Sequence, residues 1–413
     1  MLNLAIVTAI CIVTAVSFGI LVLSTPHTTE SPKIGSPQHS ILGKIAINPV
    51  TGKVYVCDNV KGFVYVLDEN TDKTLSMIPT GVPMGIAVNP VTNKIYVIRN
   101  AFSNTAVSVI DGATDTVIKN INITEMGKKP PEMIINTFPG GKTYKILPVQ
   151  VAVNPQTNRI YVSDWNYGDG GITVIDGRTD QVIDTIVGLG GGSYGIGVNP
   201  DTDRIYVDNV QYGYKAPYQI AVIDGATDKI LANVTIGQRG PHGVYTIPAP
   251  YCIGFTSAVC LSTDGVYALP GPSIAPLAVN PSTGLIYASC AGCIKSDQNR
   301  SQDWIAVING TTNAVVGTIP LSALDMAINA DTNAVYATLG TDPITLNTTD
   351  SFRVAVIDGQ TNRVTNYLET YNVGFSVAVN SKNGNVYVSG SYWGQGSVSV
   401  FNFERYLKTL KIV

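Results

Sequence analysis

The sequence predicts an all-β fold: a seven-bladed β-propeller of four-stranded antiparallel blades, preceded by an N-terminal hydrophobic helix. Three observations carry the prediction. A hairpin motif recurs seven times, a second hairpin motif follows each copy, and the composition suits short strands joined by tight turns. Its 40 Gly and 23 Pro punctuate the chain, and 21 Tyr outnumber 9 Phe, a mixture that favours strands and turns over long helices. At 413 residues and 45% hydrophobic, the chain exceeds what one ordinary core of about 250–300 residues holds, so it forms several domains or a repeat array. Charged residues are only 13%, against a usual share of about 25%, which excludes a disordered charged protein. A net charge of −3 without a long basic run leaves no footprint for nucleic acid.

The first element is residues 1–24. Leu2 to Leu23 read LNLAIVTAICIVTAVSFGILVL, uncharged throughout, and at about 1.5 Å per residue such a stretch crosses a hydrocarbon layer of roughly 30 Å. A cleaved signal usually has a shorter apolar run and a positive start. An uncleaved membrane anchor through residues 2–23 is therefore preferred to a cleaved signal, with a buried helix of a soluble protein as the plain alternative. Either export reading places the rest of the chain outside the cytoplasm. Residues 25–40, rich in Ser, Thr and Pro, read as a linker, and residues 41–413 as the repeat domain.

The first repeated motif is AINPVTGKVYV at 46–56, AVNPVTNKIYV at 87–97, AVNPQTNRIYV at 152–162, GVNPDTDRIYV at 197–207, AVNPSTGLIYA at 278–288, AINADTNAVYA at 327–337 and AVNSKNGNVYV at 378–388. Its Asn-Pro dipeptide opens a turn, because Asn bonds its own backbone and Pro fixes φ. A reversal with the right twist needs a left-handed residue further on, and the occupants are Gly52, Asn93, Asn158, Asp203, Gly284, Asn333 and Gly384, all types that tolerate it. The second motif runs from VYVLDENTDKTL at 64–75 through copies such as VSVIDGATDTVI at 107–118 to a degenerate VSVFNFERYLKTL at 398–410. Two hairpins make four strands, and radial repetition removes exposed edges. These residues resemble the YVTN-type β-propeller repeat family over roughly 41–413, through the IYV strand, the N-P-x-T-N turn and the V-I-D-G-x-T element. The resemblance implies seven blades and a surface or binding role, often extracytoplasmic, and no single activity. The phase of the repeats predicts closure by packing of blade one on blade seven, without a blade shared between the termini. Glu69, where sister copies carry Gly, and Asn402-Phe403 read as weakened turns of atypical terminal repeats.

Strand alternation places all the short turns of both motifs on one face and the remaining connections on the other. The extra material falls in the latter: insertions at 125–147, 238–276 and 289–303, with smaller expansions elsewhere. Trp165, Trp304 and Trp393 lie there, accompanied by Tyr167, Tyr212, Tyr214, Tyr218, Tyr251 and Tyr392. Broad amphipathic rings suit recognition of a protein or glycan; internal packing of long loops is the competing reading.

Signals for chemistry are weak. Asp58, Asp164 and Asp208 follow IYV strands and suggest a cation or polar site, or else plain strand caps. With His27 in the linker and only His39 and His242 beyond it, no multi-histidine metal centre, nucleophilic triad or phosphate loop is expected, and no cofactor. Cys252, Cys260, Cys290 and Cys293 are disulfide candidates, local pairs being preferred to crossed pairs or a four-cysteine zinc site; Cys57 stays free and buried. Five sequons, at Asn122, Asn233, Asn299, Asn309 and Asn347, are glycosylation candidates, at the frequency chance gives. The expectation is thus an extracytoplasmic, membrane-anchored or secreted cell-surface protein, non-catalytic, that binds a protein or carbohydrate partner or its own copies. The alternative is a hydrolase, lyase or cofactor-assisted oxidoreductase on the same face, using Asp58, Asp164, Asp208, Arg99 and His242.

Overall fold

The computed structural model describes residues 40–100, 106–123, 147–165, 170–189, 195–210, 216–239, 276–294, 302–339, 352–392 and 395–401. They form 27 strands. Blade one is β1 (Leu42–Asn48), β2 (Lys53–Asp58), β3 (Phe63–Asp68) and β4 (Thr74–Pro79). Blade two is β5 (Val82–Asn89), β6 (Lys94–Asn100), β7 (Ala106–Asp111) and β8 (Thr116–Asn122); blade three is β9 (Leu147–Asn154), β10 (Arg159–Trp165), β11 (Gly170–Asp176) and β12 (Gln181–Leu189). Blade four is β13 (Ile196–Asn199), β14 (Arg204–Val210), β15 (Pro217–Asp224) and β16 (Lys229–Arg239); blade five is β17 (Leu277–Asn280), β18 (Leu285–Ile294), β19 (Gln302–Asn309) and β20 (Ala314–Ile319). Blade six is β21 (Ala323–Asn329), β22 (Ala334–Leu339), β23 (Arg353–Asp358) and β24 (Arg363–Glu369); blade seven contributes β25 (Val373–Val379), β26 (Val386–Tyr392) and β27 (Gln395–Phe401). Each blade is an antiparallel meander in chain order, and blades four and five are joined where β16 pairs with the end of β18. The chain is a seven-bladed β-propeller. Residues 1–39, with the expected hydrophobic helix, lie outside the described residues, as do 402–413; no helix among the described residues is long and apolar enough to cross a membrane.

The turn chemistry acts as the sequence predicts. Gly52, Asn93, Asn158, Asp203, Gly284, Asn333 and Gly384 all have φ between 50° and 72°. Where the left-handed residue of the next blade is Asn or Asp, the motif Asn bridges to it. The side-chain amide of Asn48 donates to Asn93 Oδ1, Asn89 to Asn158 and Asn154 to Asp203, each at 2.7 Å, and Asn280 donates to Asn333 at 2.6 Å. The motif tyrosine completes the clasp: Tyr55 donates to Asp115 of blade two at 2.9 Å, and Lys53 pairs with the same carboxylate at 2.8 Å. Lys94 with Asp180 and Arg159 with Asp228 repeat that ion pair in the next two interfaces.

Seven apolar clusters fill the seven interfaces, one per neighbouring pair of blades. The closing cluster joins Leu42, Val54 and Leu67 of blade one to Tyr387, Val398 and Val400 of blade seven. Blade one takes all four strands from contiguous chain, so closure rests on packing and on hydrogen bonds between the two blades. Among these, Asn380 and Asn383 donate to Glu69 Oε1 at 2.6 and 2.8 Å, and Tyr387 donates to the Glu69 carbonyl at 3.2 Å. Glu69 is therefore a clasp of the ring, which corrects its reading as a degenerate turn. Ser40, which the sequence reading puts in the linker, is fully buried in the same seam, donating to Asp58 and accepting from Ser391.

Candidate functional site

The innermost strands share one irregularity. β1, β5, β9, β21 and β25 each carry a one-residue bulge against the second strand of the blade, at Leu42/Ile45, Pro83/Ile86, the stretch opposite Val162/Asp164, Ala323/Asp325 and Gly374/Ser376. A bulge bends its strand and re-aims the side chain beside it. Here it falls at one level in every case, four to five residues before the motif Asn. The seven residues at that level are Lys44, Gly85, Gln150, Gly195, Pro276, Asp325 and Ser376. This ring is chemically mixed, whereas the next position along, Ile45, Ile86, Val151, Ile196, Leu277, Met326 and Val377, is uniformly apolar.

Bulges free backbone groups that must find partners when buried. Side chains on the second strand supply them. Ser163 exchanges hydrogen bonds with the Gln150 backbone, Thr338 donates to the Asp325 carbonyl at 3.3 Å, Ser389 donates to the Gly43 carbonyl of blade one, and Asp208 accepts from Gly195 N–H at 2.6 Å. The mixed ring is thus held from behind by hydroxyls and one carboxylate.

At the axis the ring lines a half-open cavity of about 170 Å³, bordered by Lys44, Gln150, Asp325, Ser376 and the layer of Ile45, Ile86, Val151, Leu277, Met326 and Val377. Asp325 organises it. Its Oδ1 accepts from Lys44 Nζ at 2.8 Å, and its Oδ2 accepts from Ser376 Oγ and from Val377 N–H at 3.2 Å. Lys44, Asp325 and Ser376 come from blades one, six and seven, so the network exists only when the ring is closed. The sequence reading missed this site, although its signal was visible: one column of the repeat departs from an otherwise uniform pattern.

Outside relatives add the fold and no more. No family model and no curated protein matches the chain. Among solved structures it is similar to Kuenenia stuttgartiensis hydrazine synthase, with a TM-score of 0.61 over 93% of this chain and 99% of that chain, at 15% identity. Solved chains sharing the fold number 1317, a breadth that carries no single activity.

The expected aromatic face is corrected in part. Trp304 is 5% exposed; its indole N–H donates to the Ile236 carbonyl at 3.2 Å, and it packs with Tyr218, Cys290 and Cys293 in the core between blades four and five. Tyr218 is 3% exposed in the same cluster. The sequence reading puts both in loops, but β19 starts at Gln302 and β15 at Pro217, so the strands reach further and take the rings inside. Trp165 and Tyr392 end β10 and β26 with side chains outside the described residues, as are Tyr167, Tyr212, Tyr214, Tyr251 and Trp393. The strand ends flanking these segments all lie at one end of the molecule, because every segment joins a second strand to a third or, around Tyr251, a fourth strand to the first of the next blade.

Of the acidic trio, Asp58 and Asp208 are each engaged within their own blade region. Asp58 caps its own turn, accepting from Val60 and Lys61 N–H at 3.1 and 2.9 Å and from Ser40. Asp208 sits one register step earlier in its blade, which turns it to the opposite side of the sheet, and serves Gly195. The Asp164 side chain lies outside the described residues, and among the described residues no group of three or more metal-ligating side chains occurs. Arg99 packs along Gly81, and His242 lies outside the described residues. Cys290 and Cys293 are bonded, with Cα atoms 5.7 Å apart, and Cys57 is free and buried, where desolvation raises its thiol pKa. Cys252, Cys260, Asn299 and Asn347 lie outside the described residues. Of the other sequons Asn122 and Asn233 are exposed, while Asn309 caps a turn through Thr311 and Thr312 N–H at 2.9 and 3.0 Å.

Proposed function

We propose that this chain is an extracytoplasmic, membrane-anchored propeller of the YVTN-type kind that binds a protein or glycan partner through the face bearing its long connections, without catalysis. The observation that supports it is the contrast between the two faces. On one, the hairpins close within four to six residues and are pinned blade to blade by the Asn bridges. On the other, successive strands are up to 37 residues apart, between Arg239 and Leu277. A rigid scaffold with variable connections gathered at one end is the usual architecture of recognition. The uncharged stretch Leu2 to Leu23 supports export and anchoring.

The test compares the full-length chain with a variant whose residues 240–275 are replaced by a four-residue Gly-Ser linker. Crosslinking on intact cells and a glycan array should give a signal that the variant loses while its melting temperature holds; an unchanged signal sinks the reading. The anchor is checked by the mass of the mature amino terminus, where loss of residues 1–24 would replace anchoring by secretion.

A further inference from the structure

We propose that the axial cavity is a binding site for one small neutral polyhydroxyl molecule, of glycerol to monosaccharide size. The inference stands apart from the partner-binding reading, because every residue it uses lies at the axis. Charge decides against an ion. Lys44 and Asp325 neutralise each other at 2.8 Å, and the other five positions of the ring are uncharged, so the site offers a free anion or cation no net Coulomb attraction.

What it offers instead is unspent hydrogen-bonding capacity of both senses. A lysine ammonium has three donors and a carboxylate about four acceptor sites. Lys44 spends one donor on Asp325, and Asp325 accepts three bonds. The Gln150 backbone is tied to Ser163, while the residue itself lines the cavity, where its amide can both donate and accept. A ligand that accepts from Lys44 and both donates to and accepts from Gln150 matches this set, and adjacent hydroxyls do so. The volume agrees: about 170 Å³ is the share of five or six waters at about 30 Å³ each, and falls short of the roughly 300 Å³ at which drug-sized pockets begin. The surface exposed to the cavity is almost wholly polar, which suits a molecule dense in hydroxyls.

Titration calorimetry on the full-length chain, in a detergent without a sugar head group, tests this with glycerol, D-glucose and D-mannitol against acetate and phosphate at constant ionic strength. At least one polyol should bind with 1:1 stoichiometry. Gln150→Ala should weaken it about fivefold, one lost hydrogen bond, with an unchanged melting temperature, and Lys44→Met should weaken it further. Tighter binding of acetate or phosphate than of every polyol, no polyol binding up to about 10 mM, or a Gln150→Ala variant of unaltered affinity would overturn the proposal.

Discussion

Gly52 and Glu69 divide between them a role that Asn93 and Gly112 play one blade on. In blade two the left-handed Asn93 fills the space beside the second turn, and a Cβ on Gly112 would run into its side chain; Gly177 and Gly359 stand in the same relation to Asn158 and Asn333. In blade one the left-handed residue is Gly52, the space is open, and the Glu69 carboxylate enters it to receive Asn380 and Asn383 of blade seven. Acceptor and open space have changed places while the bridge between blades is kept. Glu69→Gly alone should destabilise the protein by about 1–3 kcal/mol, since two amide donors in a buried seam lose their partner. Gly52→Asn alone should also destabilise, by crowding Glu69. The double variant rebuilds the arrangement of blade two and should return to within about 0.5 kcal/mol of the parent in denaturant titrations; simple addition of the two losses would show that the pair is not coupled.

At the scale of the element, the second hairpin of blades one, two, three, four and six turns on one carboxylate. Asp111, Asp176 and Asp358 accept backbone N–H bonds from residues two and three further on, and those bonds hold their carboxyls below the ordinary range. In Asp68 and Asp224 the hydroxyl of Thr71 or Thr227 is the leading cause of the same shift. A folded pKa below the unfolded one contributes stability that is complete above the unfolded value, near 4, and is lost as pH falls through the folded values. The acid limb of a denaturation profile should therefore begin below about pH 4, in small increments because these turns are largely solvated. Asn309 makes the same turn in blade five without a charge, so Asp→Asn at 111, 176 and 358 together should flatten that limb and leave stability at pH 7 nearly unaltered; an unchanged limb would place the acid-sensitive groups elsewhere. These turns were legible from sequence because a local φ requirement admits few residue types. The bulges of the inner strands were not, since the residues at that level, Lys44, Gly85, Gln150, Gly195, Pro276, Asp325 and Ser376, share no residue type that would mark an extra residue. Trp304 was misplaced for a related reason: the extension of β18 and β19 beyond the repeat is decided by pairing with β16, a non-local contact.

The whole molecule differs from an open repeat array in having no terminal blade. In an open array the end units have one neighbour and fray first, whereas here seven interfaces each own an apolar cluster, including that between blades one and seven. Blades four and five are further tied by the β16–β18 pairing, beside the Cys290–Cys293 bridge. That bridge closes a very short loop, for which chain entropy gives about 2 kcal/mol, so reduction should lower the denaturation midpoint modestly, and peptide mapping without reductant should find the two cysteines linked; free thiols at both positions would refute it. Closure makes a stronger claim. Leu42, fully buried in the seam between blades one and seven and in contact with Gly396, should on substitution by Ala cost about 2–5 kcal/mol for the cavity left behind. Because every blade leans on two others, that loss should appear as a lower midpoint of one cooperative transition followed by both far-UV and near-UV circular dichroism. If instead the Leu42→Ala protein unfolded in two steps, with blade one released before the rest, the seam would be a contact between the ends of an array, and the Lys44–Asp325–Ser376 network at the axis would lose the closed ring that assembles it.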